Sequence, residues 1–510
     1  MALRLYNTLT RNTEVFVPEH PGEVRVYVCG MTPYDYAHVG NARSAVAFDV
    51  LVRHLRARGY QVVHVRNITD VDDRIIERAQ QNGESPLDLS GRMARIYQAD
   101  MRELGCVDPT FEPKVSENIG PIVDLIQKII ARGHGYEVTA PAGARDVYFA
   151  VRSFPGYGKL SRRNVDELEV GSRVEPGETK RDPLDFALWK GCAEDAWGWT
   201  SPWGNGRPGW HIECSAMCKA LLGPEIDIHG GGMDLIFPHH ENEIAQSEAG
   251  CPEHVPFARV WMHNGFVNID KEKMSKSLGN IVKPRDVYIN NDPEGLRYLF
   301  LSVHYRGPLS FDIEQREDGH LTFPGVDEAE RRVDYFYSTL ERLDAHARAG
   351  DPDRLPKELA SYGETIDRAF ELVLAALDDD LNTPVALAQI GELTTSANEL
   401  CDLLQKRKKD AGFVEQGGKL ARRAKDALVS STDVLGLLQA PPSTYRERTL
   451  TRRLSSRRLT ADFIEAKLAA RDEARRKREF VQADEIRREL LSLGVEVADS
   501  PDGSRWILRI

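Results

Sequence analysis

The sequence lacks any apolar stretch long enough to cross a membrane, since a spanning helix needs about 20 apolar residues in succession. The segment from Met1 to Thr10 also lacks the apolar core and cleavage site of a secretory signal. We therefore expect a cytoplasmic protein with no membrane partner. Hydrophobic residues at 41% and charged residues at 29% are ordinary for a globular protein. A chain of 510 residues predicts about three or four domains.

Cysteine is scarce, and the seven cysteines are odd in number and widely scattered. That distribution argues against a disulfide framework and favours reduced thiols, some of which could bind a metal.

Positive charge is in deficit, because 67 Lys and Arg stand against 79 Asp and Glu. The net charge of -12 argues against a generic polyanion binder. Charge is nevertheless segregated along the chain, and Arg446 to Arg488 contains 14 Lys or Arg against 8 Asp or Glu. This stretch is either a solvated helix face or a nucleic-acid surface, and composition alone favours the solvated face.

The N-terminal region predicts a Rossmann-like fold. Glu23 to Cys29 alternates around three valines and predicts a strand, Asn41 to Arg58 predicts a helix, and Gln61 to Arg66 predicts the next strand. Strand, helix and strand form a βαβ unit, so the predicted class is α/β with a doubly wound parallel sheet. The sheet is expected to resume near Glu225–His229 and Arg259–His263. The loop after the first strand should lie at the carboxyl edge, where such sheets bind ligands.

The rest of the chain predicts an insertion, a helical bundle and a small mixed α/β terminal domain. The residues Ala440–Ser443 are typical of a linker, and turn residues around Ser500–Gly503 predict a terminal hairpin. The predicted boundaries are 1–115 and 206–265 for the two halves of the catalytic domain, 116–205 for the inserted domain, 266–326 for a lysine-loop and stem-contact region, 327–440 for the bundle and 446–510 for the terminal domain.

Two distant segments together predict a nucleotide site. His38 and Asn41 stand three residues apart at a helix start, and Gly40 leaves room for a nucleotide beside a helix N-terminus that favours phosphate. Far downstream, Lys273 and Lys276 flank small residues in a polar loop, where positive charge could stabilise a departing pyrophosphate. A helix cap with a surface histidine and an exposed basic loop are the alternatives. The pairing of the two segments favours nucleotidyl transfer.

Other residues suggest a metal site without fixing its members. His239 and Glu243 are four residues apart and would share one helix face, which suits metal binding, although a polar helix N-terminus fits equally well. Cys29 ends the first predicted strand, and Cys214 stands alone in its segment. Cys218 lies one helical turn from Cys214 and is a possible rival ligand. No short spacing joins these residues into one site.

Taken together, these segments resemble the class I aminoacyl-tRNA synthetases, and among them the cysteinyl-tRNA synthetase family. The resemblance covers nearly the whole chain. The segments that carry it are Tyr27–Asp35, Arg66–Asp73, Gly209–Ala216, Asp227–Leu235, Phe237–Glu243, Lys273–Asn280 and Asp378–Pro384.

The resemblance implies a ligase that activates L-cysteine with ATP and transfers the cysteinyl group to the 3′ end of tRNA(Cys). It implies an anticodon-binding role for the terminal domain, one Zn²⁺ per chain, and Mg²⁺ bound with ATP. We also expect a monomer. The residues it implies are the zinc ligands Cys29, Cys214, His239 and Glu243, the catalytic His38, Lys273 and Lys276, the ATP contacts Gly40, Asn41, Gly231, Asp234 and Lys276, and the substrate contacts Thr32, Thr69 and Trp210.

Asn41 departs from the family, whose signature usually ends in histidine. Asparagine donates a hydrogen bond but carries no charge. The sequence therefore predicts a weaker phosphate contact at this position and an unchanged reaction.

Two other functions stay open at this stage. A cysteine ligase of mycothiol biosynthesis would share the catalytic half but would not need a terminal tRNA-binding domain, so residues 446–510 argue against it. A non-catalytic tRNA-binding regulator would not need the intact His38, Gly40 and Lys273–Ser277.

Overall fold

The structure is a computed structural model that describes residues 2–139, 145–164, 180–251, 255–269, 272–273, 281–315, 321–352, 354–500 and 503–508. For residues 272–273, 500 and 503 the structure describes the backbone and not the side chains. Among the described helices, none combines the length and the apolar content needed to cross a membrane.

The N-terminal region forms the predicted βαβ unit. Val24 and Val26 are fully buried on one side of their strand, and Leu51 and Leu55 bury the inner stripe of the helix that follows. The elements are β1 (Arg4–Asn7), β2 (Asn12–Val15), β3 (Glu23–Val28), α1 (Val39–Ala57), β4 (Gln61–Arg66), α2 (Asp73–Asn82) and α3 (Pro86–Glu103).

The region predicted as an insertion is a helix packed beside an antiparallel sheet. The strand order in this sheet is β5-β6-β7-β9-β8, and its core contains Phe149, Leu188 and Trp189. The elements are α4 (Ile119–Ala131), β5 (Gly135–Thr139), β6 (Arg145–Phe149), β7 (Phe186–Gly191), β8 (Trp199–Ser201) and β9 (Gly204–Pro208).

The chain then returns to the first sheet, as predicted. The added elements are α5 (Trp210–Leu222), β10 (Ile226–Gly232), α6 (Glu241–Ala249) and β11 (Ala258–Asn264). The completed sheet has the order β11-β10-β3-β4, and every described pairing within it is parallel. The chain thus leaves β3 in one direction for β4 and later returns on its other side with β10. Such a reversal opens a crevice at the carboxyl ends of the strands.

A smaller sheet with the order β13-β12-β14 follows and carries the start of the lysine segment. Its elements and neighbours are β12 (Val267–Ile269), β13 (Glu272–Lys273), α7 (Pro284–Tyr288), α8 (Pro293–Leu301), β14 (Leu309–Phe311), β15 (Glu314–Gln315) and β16 (Leu321–Thr322).

Helices form most of the remaining chain. The helical pattern breaks between the first two bundle helices, and Asn382 caps the third by accepting from the Val385 amide at 3.3 Å. The elements are α9 (Pro324–His346), α10 (Ala360–Asp378), α11 (Thr383–Lys406), α12 (Ala411–Asp433), α13 (Pro442–Ser456), α14 (Ala461–Arg476), α15 (Phe480–Ser492), β17 (Val495–Ser500) and β18 (Gly503–Leu508). Short helical turns span Val115–Glu117, Val151–Ser153, Met233–Leu235, Ile236–His240 and Lys357–Leu359.

The predicted linker is shorter than expected, because α13 already begins at Pro442 and packs on the bundle. The ring of Tyr445 stacks on that of Tyr337 with centroids 3.8 Å apart. Three arginines of α13 bond to carboxylates at the start of α8 and on α9. We call this set the arginine clasp, and it comprises Arg448, Arg452, Arg453, Asp292, Glu294 and Glu330. The domain boundaries drawn from the sequence stay predictions.

Candidate active site

A cavity of about 340 Å³ opens at the carboxyl ends of the parallel strands. The loop after β3, the start of α1 and the residues after β10 form its wall, as the reversal of strand order requires. Half of the fourteen predicted site residues line this cavity, namely Cys29, Thr32, His38, Gly40, Asn41, Trp210 and Asp234.

His38 and Asn41 form a reciprocal cap at the start of α1. The His38 Nδ1 accepts from the Asn41 backbone amide at 3.2 Å, and the Asn41 Oδ1 accepts from the His38 backbone amide at 3.1 Å. This is the helix cap that the sequence left as the alternative reading, and it coexists with a place on the cavity wall. The cap fixes both side chains at a helix N-terminus, which favours an anionic ligand.

The lysine segment is only partly described. The backbone of Lys273 pairs with that of Asn268 across the antiparallel strands β12 and β13. Lys276 lies outside the described residues. The lysine roles therefore stay predictions, but the strand that leads into the segment starts beside the cavity, whose wall includes Val267.

Four residues predicted to bind metal lie together beneath the cavity. We call Cys29, Cys214, His239 and Glu243 the donor cluster; their ligand atoms all lie within 4.8 Å of one another. The Cys29 Sγ is 3.8 Å from the Cys214 Sγ and 3.7 Å from a Glu243 carboxylate oxygen. The His239 Nε2 is 3.6 Å from the same carboxylate. Four chain segments supply these atoms: the loop after β3, helix α5, the turn before α6, and α6 itself.

The chemistry and spacing of the donor cluster fit a zinc ion. Two sulfurs at 3.8 Å are as far apart as two ligands of a tetrahedral centre with Zn–S bonds of about 2.3 Å. Burial lowers the pKa of His239 to about 3, so its imidazole is neutral, as a metal ligand must be. Burial, then Cys214 and Glu243, raise the pKa of the Cys29 thiol well above its usual value. A cation among these donors would favour the thiolate form.

Two buried histidines that the sequence analysis did not single out also face this cluster. The His229 Nε2 lies 3.1 Å from a Glu243 oxygen, and the His240 Nε2 lies 3.8 Å from the same carboxylate. With Cys29 they form a second group of potential ligands. Both histidines stand in segments that carried the family resemblance, so that pattern was the only signal for them. Cys218 is fully buried but belongs to neither group found among the described residues.

Asn67 is a third residue that the sequence analysis did not single out. Its Oδ1 accepts from the Gly30 amide at 2.9 Å and lies 3.7 Å from the Cys214 Sγ. Gly30 permits this approach, because a Cβ there would lie 1.6 Å from the Asn67 carbonyl oxygen. The side-chain amide Nδ2 of Asn67 also donates to the Thr69 hydroxyl at 3.0 Å. Thr69 is buried and is not among the residues that line the cavity, so the predicted substrate contact at this position stays a prediction.

Trp210 and Gly231 both lie next to histidines at the donor cluster. The Trp210 indole stacks on His239 with centroids 4.7 Å apart and is 38% exposed, which leaves one face toward the cavity. A Cβ on Gly231 would lie 2.8 Å from Leu235 and 3.0 Å from His240. Gly231 therefore lets the segment after β10 pack closely on the histidines. Asp234 is exposed on the cavity wall, as a ligand contact would be.

Sequence families match three successive parts of the chain. A family described as the catalytic domain of class I (C) tRNA synthetases matches residues 15–319. A DALR domain matches residues 373–439, and a cysteinyl-tRNA ligase anticodon-binding domain matches residues 460–506.

Relatives that match over nearly their whole length are cysteine–tRNA ligases. A cysteine–tRNA ligase of Anaeromyxobacter sp. (strain Fw109-5) is 47% identical over 509 residues, which is 99% of each chain. The cysteine–tRNA ligase of Syntrophotalea carbinolica is 43% identical over 511 residues and 100% of each chain. Among solved structures, Mycobacterium tuberculosis methionyl-tRNA synthetase with methionyl-adenylate has a TM-score of 0.58 at 16% identity, covering 83% of this chain and 92% of its own. That last likeness shows the fold alone.

Proposed function

The chain belongs to the cysteine–tRNA ligase family of class I aminoacyl-tRNA synthetases, and on that premise we propose how its own residues perform the ligation. The enzyme activates L-cysteine with ATP and then transfers the cysteinyl group to tRNA(Cys). The site residues named below and the two metals are part of the proposal. Its cytoplasmic location and monomeric state stay predictions.

The first step joins cysteine to AMP. A carboxylate oxygen of cysteine attacks the α-phosphorus of ATP, and the bond to the leaving pyrophosphate breaks. His38 and the N-terminus of α1 face the phosphates, while Lys273 and Lys276 supply positive charge where it develops on pyrophosphate. Mg²⁺ bound to ATP would neutralise part of the charge on its phosphates. No protein nucleophile is needed, because the carboxylate of the substrate is the attacking group.

The donor cluster selects the side chain of the substrate. Zn²⁺ held by Cys29, Cys214, His239 and Glu243 would offer a direct bond to the cysteine thiolate, for which a serine hydroxyl is a poor substitute. Trp210 holds the His239 ring in place by stacking and presents its other face to the amino acid. Discrimination at this first contact removes the need for a separate editing site.

The second step moves the cysteinyl group to the terminal adenosine of the tRNA, and AMP leaves. Residues 460–506 match an anticodon-binding domain, which supports tRNA as the acceptor and argues against an amino-sugar acceptor. Binding should weaken as salt rises, because phosphate contacts release counter-ions. Specificity is expected from unpaired anticodon bases.

One observation carries this proposal. Two cysteines, a histidine and a glutamate from four chain segments converge on donor atoms within 4.8 Å of one another, next to a cavity whose wall carries His38 and Asn41. A site that combines soft sulfur ligands with a phosphate-favouring helix start suits the activation of a thiol-bearing amino acid by a nucleotide.

The test is the exchange of labelled pyrophosphate into ATP, measured with cysteine or serine and with or without tRNA, followed by charging of tRNA(Cys). We expect exchange with cysteine alone and charging when tRNA is added. Exchange without charging, but with transfer to an amino sugar, would favour the mycothiol-type ligase. Binding of tRNA without any exchange would favour the regulator.

A further inference from the structure

Arg43 is an unusual buried charge near the start of α1. Its side chain is 2% exposed, and in the described part of the chain no acidic side chain forms an ion pair with it. Burial lowers the pKa of its guanidinium to about 10, which still leaves it charged at neutral pH. A buried charge without a counter-ion requires other compensation, and here backbone carbonyl groups supply it.

Two chain segments direct their carbonyl oxygens at this guanidinium. One terminal nitrogen donates to the Gly265 and Phe266 oxygens at 3.0 and 2.7 Å. The other donates to the oxygens of His304, Tyr305 and Gly307 at 3.3, 3.5 and 2.5 Å. Arginine is suited to this role because its donors form a rigid planar fork, whereas lysine offers a single point of attachment.

Both segments enter the small sheet that leads to the lysine loop. Gly265 and Phe266 immediately precede β12, and Gly307 precedes β14. These two strands pair with each other, and β12 also pairs with the strand that contains Lys273. The guanidinium therefore contacts the sheet where its strands β12 and β14 begin.

The segments meet there because of a glycine. A Cβ on Gly265 would lie 2.3 Å from the Gly307 oxygen and 2.6 Å from the Arg306 oxygen. With hydrogen there instead, the Gly265 amide donates to the Tyr305 oxygen at 2.8 Å. Carbonyl groups brought this close repel one another, and the cation of Arg43 compensates for that repulsion.

We propose that Arg43 is a positioning residue that fixes the sheet carrying the lysine loop against the helix carrying His38. The inference rests on the proposed function, in which these two elements hold ATP from opposite sides. Arg43 stands just over one turn beyond His38 on the same helix, so it sets the separation between the two sides of the nucleotide site. A displacement of about 1 Å between reacting groups can cost about 100-fold in rate.

The test compares two variants that each replace a buried arginine by lysine. Arg43→Lys keeps the charge but cannot reach both segments. We expect its adenylation kcat to fall by about 10- to 100-fold, with the KM for cysteine and the zinc content unchanged. The matched control is Arg297→Lys, since Arg297 is fully buried and donates to the Leu435 and Leu104 oxygens at 2.7 and 3.0 Å. Arg297 joins α8 to the end of α3 through Leu104, to the bundle through Leu435 and to α1 through an ion pair with Asp49, and none of its described bonds reaches the lysine sheet.

The control should lose thermal stability to a similar degree and keep the wild-type adenylation rate at a temperature where it is folded. A wild-type rate in Arg43→Lys, or equal rate losses in both variants, would overturn the inference. If Arg43→Lys does not fold, Gly265→Ala separates the carbonyl groups while Arg43 stays in place. That variant should show the same loss in kcat with unchanged cysteine KM, and an unaltered kcat would refute the role. If the wild-type protein shows no cysteine-dependent exchange, the proposed function fails instead.

Discussion

The donor cluster and the arginine clasp both bury ionisable side chains, but they differ in whether those side chains are paired. In the clasp, Asp292 is 1% exposed and accepts two bonds from Arg448 at 2.7 and 2.9 Å and one from Arg452 at 2.7 Å. Glu330 is equally buried and accepts from Arg453 at 2.6 Å. Asp292 and Glu330 therefore each form an ion pair with an arginine of the same chain.

The donor cluster contains no such cation among the described residues. Its thiols, carboxylate and imidazole face one another, and burial, together with the neighbouring Cys214 and Glu243, raises the pKa of Cys29 instead of lowering it. A group of like ligands without a protein cation is arranged for an external ion, whereas a completed set of ion pairs fixes the position of a helix. Buried ionisable groups therefore indicate a ligand site where the chain provides no counter-ion, and a fixed structural contact where it provides one.

The largest effect on the reaction is expected outside both regions. Lys276→Ala should lower the adenylation rate by about 10³-fold, because negative charge on the leaving pyrophosphate peaks in the transition state. Zinc content, thermal stability and cysteine affinity should stay close to wild type. Rapid-quench measurement of adenylate formation decides the matter, and a wild-type rate would remove Lys276 from the catalytic role.

The next largest effect is expected in the donor cluster. Cys214→Ser should reduce the zinc content and lower kcat/KM for cysteine by at least about 100-fold, since loss of an outer partner of a ligand already costs about 10- to 100-fold. The matched control is Cys218→Ser, which changes an equally buried cysteine one turn away. Pyrophosphate exchange and metal analysis should separate the two variants. Equal behaviour of both would contradict the assignment of Cys214.

Two truncated chains test the roles of the arginine clasp and of the terminal domain separately. A chain ending at residue 457 keeps α13 and the clasp and should retain pyrophosphate exchange while tRNA charging falls by at least about 10-fold, since phosphate contacts are lost. A chain ending at residue 445 removes the three arginines and leaves Asp292 and Glu330 unpaired. Breaking buried pairs costs about 3–5 kcal/mol each, so this form should be unstable.

Exchange and charging assays on both truncations, with thermal melts, check this prediction. Full charging by the 457-residue form would leave the terminal domain without its proposed role. Equal stability of the two forms would show that the clasp contributes nothing measurable.

The smallest effect on the reaction is expected from a single change in the clasp. Arg453→Ala should lower the free energy of unfolding by about 3 kcal/mol, because it leaves the buried Glu330 carboxylate without its partner. Its exchange kinetics at low temperature should match wild type. The control is Arg476→Ala, whose ion pair with Glu473 joins side chains that are 74% and 46% exposed and should contribute at most about 1 kcal/mol. Denaturant unfolding that gives the same loss for both would contradict the account.

Much of the fold was accessible from local sequence patterns. The alternating valines of β3 and the helix predicted from Asn41 to Arg58 each depend on neighbours within a few residues, and the structure confirms both. The parallel order of the sheet followed from the βαβ pattern and is also confirmed.

Long-range pairings were not accessible in the same way. The arginines of α13 looked like a solvated face, because their partners Asp292 and Glu330 are more than a hundred positions away and no local pattern links them. The donor cluster has the same property, and only the family resemblance brought its four residues together before the fold did. The reciprocal bond of Asn41 to His38 depends on one backbone turn, which sequence spacing allowed but did not require.

The central claim, that Cys29, Cys214, His239 and Glu243 hold the zinc that selects cysteine, is tested most directly by zinc K-edge X-ray absorption on the full-length protein, with and without cysteine. We predict about one zinc per chain with two sulfur and two nitrogen or oxygen neighbours, and a third sulfur when cysteine binds. Cys218→Ser should leave the spectrum unchanged. Absence of zinc would contradict the account. A spectrum that shows fewer than two sulfur neighbours and does not change when cysteine is added would contradict it as well.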